Sequence, residues 1–180
     1  HQQRVAELAA AIAGELGLPA ERIEGLRIGA MIHDMGKIYL PAEILNRPGG
    51  LSELEFELVQ THPQVGHDII REVDFPWPVA EMVYTHHERM DGSGYPRGLA
   101  GEAILLEGRI LAVADVVEAI SSHRPYRAAL GITVALEEIE KGRDTLFDAE
   151  VVDACLGLFR EQGWGWSETV AGKGAGGQPG

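Results

Sequence analysis

Basic residues, cysteine and long apolar runs are all scarce in this sequence. Fifteen Lys and Arg stand against 28 Asp and Glu, a net charge of -13. That balance excludes a broad surface for nucleic acid or anionic membrane, because either needs a basic face to displace counterions. A phosphate-bearing ligand would have to meet local positive charge, and bound divalent ions are one source of it in an acidic protein. The lone cysteine, Cys155, excludes a disulfide framework and a thiolate metal site. It sits near Val151, Val152 and Phe159 in an apolar helical pattern, so core packing is its expected role. No stretch approaches the roughly 18 uncharged apolar residues of a spanning helix, and no basic-then-apolar signal segment opens the chain. A reducing compartment such as the cytoplasm fits. Alternating apolar and polar runs, internal repeats and sustained heptads are absent too, which removes sheets, solenoids and coiled coils.

What is present reads as all-α. With 180 residues and 45% hydrophobic content, the chain suffices for one buried core. Val5, Leu8, Ala9, Ile12 and Leu16 recur at helical spacing until Gly17 and Pro19 stop the run. A second helix is expected over 22–32. Ser52 and Glu55 form a capping-box pattern that starts a third, a fourth follows Pro63, and Val79, Met82 and Val83 mark a fifth. Asp-Gly, Ser-Gly and Tyr-Pro pairs between Glu88 and Ala103 predict a structured loop. Ile110, Val113, Ala114, Val117 and Ile120 predict a long buried helix carrying Asp115, and Pro125 can start a short piece after it. Helices around 133–140 and 148–160 complete a domain spanning 1–162. The segment 163–180 is rich in Gly and is expected to be a disordered tail. The first residue is His1 in place of methionine, so the sequence reads as part of a longer protein with material upstream.

Imidazoles and carboxylates fall in islands beside apolar helical sequence: His1, His33-Asp34, His62 and His86-His87, with Asp115 on its own helix. A single histidine near a helix end is more often a hydrogen-bonded structural residue than a ligand, and a lone aspartate can simply cap or pair. The set has different odds. Charges are rarely placed in apolar segments without partners, and a metal cluster would satisfy all of these at once. Adjacent helical residues diverge by about 100°, so His33 and Asp34 can face neighbouring ions, with Asp34 as the bridge. Nitrogen and oxygen ligands without sulfur suit Fe, Mn, Co, Ni or Zn. His67, five residues after His62, is turned about 140° from it and is expected to be a surface or structural residue. His123 is expected in an exposed turn.

The run His33-Asp34-Met35-Gly36-Lys37, followed by His86-His87-Glu88-Arg89-Met90-Asp91-Gly92-Ser93-Gly94-Tyr95-Pro96, closely resembles the HD-GYP family of cyclic di-GMP phosphodiesterases. The likeness runs over roughly residues 1–160, through His62-Pro63, Asp115 and the stretch from Ser122 to Arg127. It implies a helical HD-domain bundle with a two- or three-metal centre, Fe or Mn favoured. It also implies that His1, His33, Asp34 and Asp115 hold one ion and that Asp34, His62, His86 and His87 hold its neighbour. Members with a third ion are expected to carry a glutamate four residues before the first ligand histidine, a position ahead of His1. Lys37 is implied beside the scissile phosphate, where its ammonium offsets developing charge. Tyr95, Arg124 and Arg127 match positions that contact the dinucleotide, by stacking and by bidentate phosphate grip.

The implied reaction is two-metal hydrolysis of cyclic di-GMP to pGpG or GMP by a hydroxide between the ions. The implied partners are the cyclic dinucleotide, an upstream sensory or receiver domain or a partner protein, and a second copy in a homodimer. Two other classes compete: a cyclic di-GMP receptor without useful turnover, and another HD-type phosphohydrolase acting on dNTPs or guanosine tetraphosphate. Intact ligands speak against the first, and the Gly94-Tyr95-Pro96 loop against the second.

Overall fold

A computed structural model describes residues 1–47, 49–122 and 130–166. The described residues form helices α1 (Gln2–Glu15), α2 (Ala20–Ile32), α3 (Ala42–Leu45), α4 (Glu53–Val59), α5 (His62–Ile70), α6 (Val79–Thr85), α7 (Leu106–Ser121), α8 (Ile132–Lys141) and α9 (Ala149–Arg160). Strands are absent among the described residues, where pairing is limited to isolated bridges at Asp91 with Ala100 and Arg143 with Phe147. The all-α expectation holds. None of these helices is long and apolar enough to cross a membrane.

Helix α7 is the axis of the bundle and packs against α1, α2, α6, α8 and α9. Its sequence explains this, because Ile110, Leu111, Val113, Ala114 and Val117 cover more than one face and all are buried. They meet Val5, Leu8 and Ile12 of α1, Leu26 of α2, Ile139 of α8 and Val151 and Cys155 of α9 in one cluster. Each fully buried Leu, Ile or Val contributes about 1.5–3 kcal/mol relative to exposure. Cys155 is buried as expected, and burial pushes its thiol up to about 12. A smaller cluster of Ile70, Val79 and Val83 joins α5 to α6.

Two stretches depart from the sequence expectation. Between Ile32 and Ser52 the chain makes a 3-10 turn over Met35–Tyr39 and the short α3, neither of which was expected. No residue of α3 is buried, so it has no apolar periodicity to betray it. By contrast, α4 also buries nothing yet is legible, because Ser52 and Glu55 form the full capping box. At the other end, Trp164 and Trp166 pack against the core beside Phe159, and Trp164 N donates to Leu158 O at 2.9 Å. Two side chains of the expected tail from 163, Trp164 and Trp166, are thus packed on the core, and 167–180 lie outside the described residues.

Candidate metal centre

The histidines sit where helices end. His33 caps the C-terminus of α2, His86 that of α6, His62 opens α5, and His1 is the N-cap of α1. At such ends backbone carbonyls are left without helical partners. His33 Nδ1 lies 2.6 Å from Ala30 O, His62 Nδ1 2.7 Å from Val59 O, and His86 Nδ1 2.6 Å from Val83 O. In each case the ring Nδ1–H donates to the carbonyl three residues back. That fixes the tautomer and leaves Nε2 as a lone-pair donor, the arrangement typical of metal-ligating imidazole. The three rings converge: His62 Nε2 is 3.3 Å from His86 Nε2, and the His33 and His86 centroids are 5.0 Å apart.

Ligand-type atoms of Asp34, His62, His86 and His87 lie within 4.8 Å of one another, as do those of His1, His33 and Asp115. Asp34 faces both groups. Its Oδ1 is 3.5 Å from His62 Nε2, while its Oδ2 is 3.6 Å from His33 Nε2 and 3.7 Å from His1 Nε2. Asp115 Oδ1 lies 3.3 Å from His1 Nε2 and 3.7 Å from His33 Nε2. All seven residues expected as ligands are therefore brought together. His33 Nε2 is buried without a hydrogen-bond partner. An orphaned imidazole nitrogen among further imidazoles and carboxylates, with no cysteine in either group, fits a borderline divalent ion.

The two groups differ electrostatically. Burial opposes charge on His1, but hydrogen bonds to Asp115 and Glu118 outweigh it and raise its pKa to about 9. Burial also opposes charge on His33, and Asp115 and Asp34 raise it nonetheless. Asp115 is held well below the usual carboxylate range, its burial overcome by His1 and His33. Across the centre, burial lowers His62, His86 and His87, with His86 falling to about 3. Asp34 is lowered despite burial by His33 and by Lys37. The carboxylates thus draw positive charge into the centre, while the three histidines opposite them stay neutral and able to donate lone pairs.

Around this centre lie the remaining expected residues. Lys37 Nζ is 2.7 Å from each carboxylate oxygen of Asp34. Gly36 lets this segment approach α5, since a Cβ there would lie 2.0 Å from His62 O. Tyr95 stacks on His87 at 4.7 Å between centroids, and Tyr95 N donates to His87 O at 3.2 Å. Arg124, Arg127 and His123 lie outside the described residues. His67 stacks on Tyr84, away from the cluster, as expected.

Three residues escaped the sequence reading. Buried Glu88 accepts Arg97 N at 2.8 Å and Leu99 N at 2.9 Å, tying the far side of the loop to His86-His87. Buried Glu118 accepts from His1 Nδ1; its signal was a charge three residues after Asp115 in an apolar helix. Phe56, half exposed, meets Tyr95 edge-on at 6.4 Å.

A helical bundle that gathers histidines and aspartates from α1, α2, α5, α6 and α7 at one point defines the class of helical metal-centre proteins. The chain belongs to the HD domain family: the family model of that description matches residues 1–151. Within it, the His33-Asp34 and Gly94-Tyr95-Pro96 motifs mark the HD-GYP type. It is 43% identical over 156 residues to the cyclic di-GMP phosphodiesterase response regulator RpfG of Xanthomonas campestris, covering 86% of this chain and 41% of that protein. It is 41% identical over 160 residues to the 3'3'-cGAMP-specific phosphodiesterase 1 of Vibrio cholerae, covering 87% of this chain and 36% of the relative. A cyclic di-GMP phosphodiesterase of Thermotoga maritima is 41% identical over 163 residues, 89% of this chain and 44% of its own length. The chain therefore spans less than half of these curated relatives. Among solved structures, Bd1817, described as an HDG"Y"P protein from Bdellovibrio bacteriovorus, superposes with a TM-score of 0.73 at 19% identity, over 88% of this chain and 51% of its own. That likeness establishes the fold. Family and cluster together imply divalent metal binding.

Proposed function

We propose that the chain is a metal-dependent phosphodiesterase acting on a cyclic dinucleotide, with cyclic di-GMP as substrate and pGpG or GMP as product. The observation that carries this reading is the position of Asp34, one carboxylate oxygen toward each of two ligand groups. The names of the curated relatives, cyclic di-GMP and 3'3'-cGAMP phosphodiesterases, support the substrate class. His1, His33 and Asp115 would hold one ion and His62, His86 and His87 the other, Asp34 serving both, with Fe or Mn the favoured metals. Bound there, divalent ions supply Lewis-acid charge for the phosphoryl oxygens and acidify a water ligand.

The chain's own groups do the rest. Lys37 orients the Asp34 carboxylate and presents an ammonium at the edge of the centre, where a phosphoryl oxygen gaining charge would be stabilised. Tyr95 and Phe56 offer ring faces beside His87 on which a guanine can stack. Arg124 and Arg127 are proposed phosphate contacts. The catalytic unit is proposed as 1–162, with Trp164 and Trp166 packed on it. It would act in the cytoplasm under an upstream sensory or receiver domain and as a homodimer.

The test is incubation of reduced, metal-loaded protein with cyclic di-GMP, 3'3'-cGAMP and a dNTP, with products resolved by chromatography. Hydrolysis of a cyclic dinucleotide and not of the dNTP is expected. Asp34→Ala should lose bound metal and turnover together. A variant with full metal and full turnover would overturn the assignment, and tight binding of cyclic di-GMP without product would make the domain a receptor.

A further inference from the structure

We propose that Glu118 is the positioning residue that makes His1 a ligand, and that Trp166, acting through Arg4, holds Glu118 in place. The inference rests on the metal-centre reading above.

His33, His62 and His86 take their orientation from a carbonyl three residues earlier. Local helix-end structure presets them. His1 is different, because its Nδ1–H donates to the Glu118 carboxylate, 117 residues away in sequence. Its side chain is 23% exposed, against 0% for His33 and 1% for His62. Its aim therefore depends on a distant partner. With Nδ1 engaged, His1 Nε2 is left facing Asp115 and Asp34. Carboxylate, imidazole and metal in line is a known way to fix a ring and raise its basicity.

Glu118 is itself buried, at 2% exposure, and a buried carboxylate is costly unless paired. Its Oε1 accepts from Ser122 Oγ at 2.6 Å and lies 3.5 Å from Arg4 Nε. Arg4 is held in turn: its guanidinium lies 3.9 Å from the Trp166 ring centroid, and Trp166 Nε1 donates to Arg4 O at 2.9 Å. Trp166 rests on Phe159 and Trp164. The contacts form a continuous path from the segment after α9, across α1, to the outermost ligand of the centre. Metal occupancy in the group of His1, His33 and Asp115 is thereby tied to the seating of the chain beyond Arg160.

The experiment titrates Mn2+ and Co2+ calorimetrically into the metal-stripped full chain, with elemental analysis and Co2+ visible spectra on the same samples. Two binding steps are expected for the unaltered protein. Glu118→Ala should weaken one step by about 10–100-fold, the range for loss of an outer-shell partner, and leave the other unchanged. Glu118→Gln, which keeps an acceptor, should fall between. Trp166→Ala should weaken the same step, and Trp166→Phe should restore part of it. His1→Ala should show the same selective loss, and the His1→Ala/Glu118→Ala pair no further loss, because Glu118 acts through His1. Two unchanged steps in Glu118→Ala overturn the proposal, as do equal losses in both steps or additive losses in the pair. Absence of ion binding by the unaltered protein would instead bring down the metal-centre reading and this inference with it.

Discussion

Asp34 and the histidine Nε2 atoms around it show how much chemistry is set by single side chains. Each of three imidazoles donates Nδ1–H to a carbonyl three residues back, His33 and His86 to the helix they end and His62 to the end of α4, so local folding aims the ring before any ion arrives. Tyr95 belongs to the same scale. Burial pushes its hydroxyl above its ordinary value, so the group stays neutral near pH 7, and under the proposed function its ring, stacked on His87, is the part that would meet a base. Stacking on a base is worth about 1–3 kcal/mol, which corresponds to on the order of a tenfold change in affinity. Tyr95→Ala should therefore raise KM for cyclic di-GMP by roughly tenfold, and Tyr95→Phe should leave it near the unaltered value. Steady-state kinetics on both variants checks this. A loss in Tyr95→Phe equal to that in Tyr95→Ala would assign the role to the hydroxyl.

Elements meet at glycines and at one buried carboxylate. The 3-10 turn carrying Lys37 lies so close to α5 that a Cβ at Gly36 would stand 2.0 Å from His62 O and 2.7 Å from Gly66 N. Both contacts are backbone and cannot swing away. Gly36→Ala should force the turn off α5, costing about 1–3 kcal/mol as overpacking does, and should reduce metal content because Asp34 moves with the turn. Denaturant unfolding and elemental analysis measure the two effects. Gly94 makes the corresponding approach in the loop, where a Cβ would lie 2.4 Å from Arg89 N and 2.5 Å from His87 O. Glu88 secures that loop from inside through Arg97 N and Leu99 N. Glu88→Ala leaves those two donors without their acceptor, at about 1–3 kcal/mol for each that stays buried. Faster amide exchange at Arg97 and Leu99 is expected, with unchanged exchange in α7, and protection equal to that of the unaltered protein would remove Glu88 from this role.

The whole molecule behaves as a frame that keeps unlike charges and neutral bases a few ångströms apart. Without ions, this arrangement makes stability depend on pH in both directions. His62, His86 and His87 have folded pKa values below 6.5, so the unfolded chain takes up their protons first as pH falls. The stability they contribute is complete above about 6.5 and is lost as pH drops toward the His86 value of about 3. His1 runs the other way: raised to about 9, it contributes fully below 6.5 and its contribution is lost as pH rises through about 9. Thermal melts in chelator should thus show a maximum between these limits, His62, His86 and His87 carrying the acidic limb and His1 with the likewise raised His33 the alkaline one. Saturating Mn2+ should raise the melting temperature near neutral pH, since an ion at 100 times its Kd adds about 2.7 kcal/mol. A flat profile in chelator would contradict the charge arrangement of the centre.

The helices that announce themselves by apolar spacing, α1, α2 and α5 to α9, and the capped α4, were readable one by one, as was the residue set His1, His33, Asp34, His62, His86, His87 and Asp115. Periodicity and the rarity of charge in apolar helices are local properties, and a linear sequence carries them intact. The 3-10 turn at Met35–Tyr39 and the exposed α3 were not readable, because they bury too little to leave a pattern. Nor were Glu88 and Glu118, whose roles exist only once a loop folds back over 9 to 11 residues and α1 lies on α7. Which imidazoles and carboxylates the fold would gather was therefore legible in the sequence alone. How Asp34 divides its oxygens between two ligand groups, and what holds His1 against Asp115, was decided only by tertiary packing, because hydrogen bonds between distant helices depend on distances that no spacing along the chain encodes.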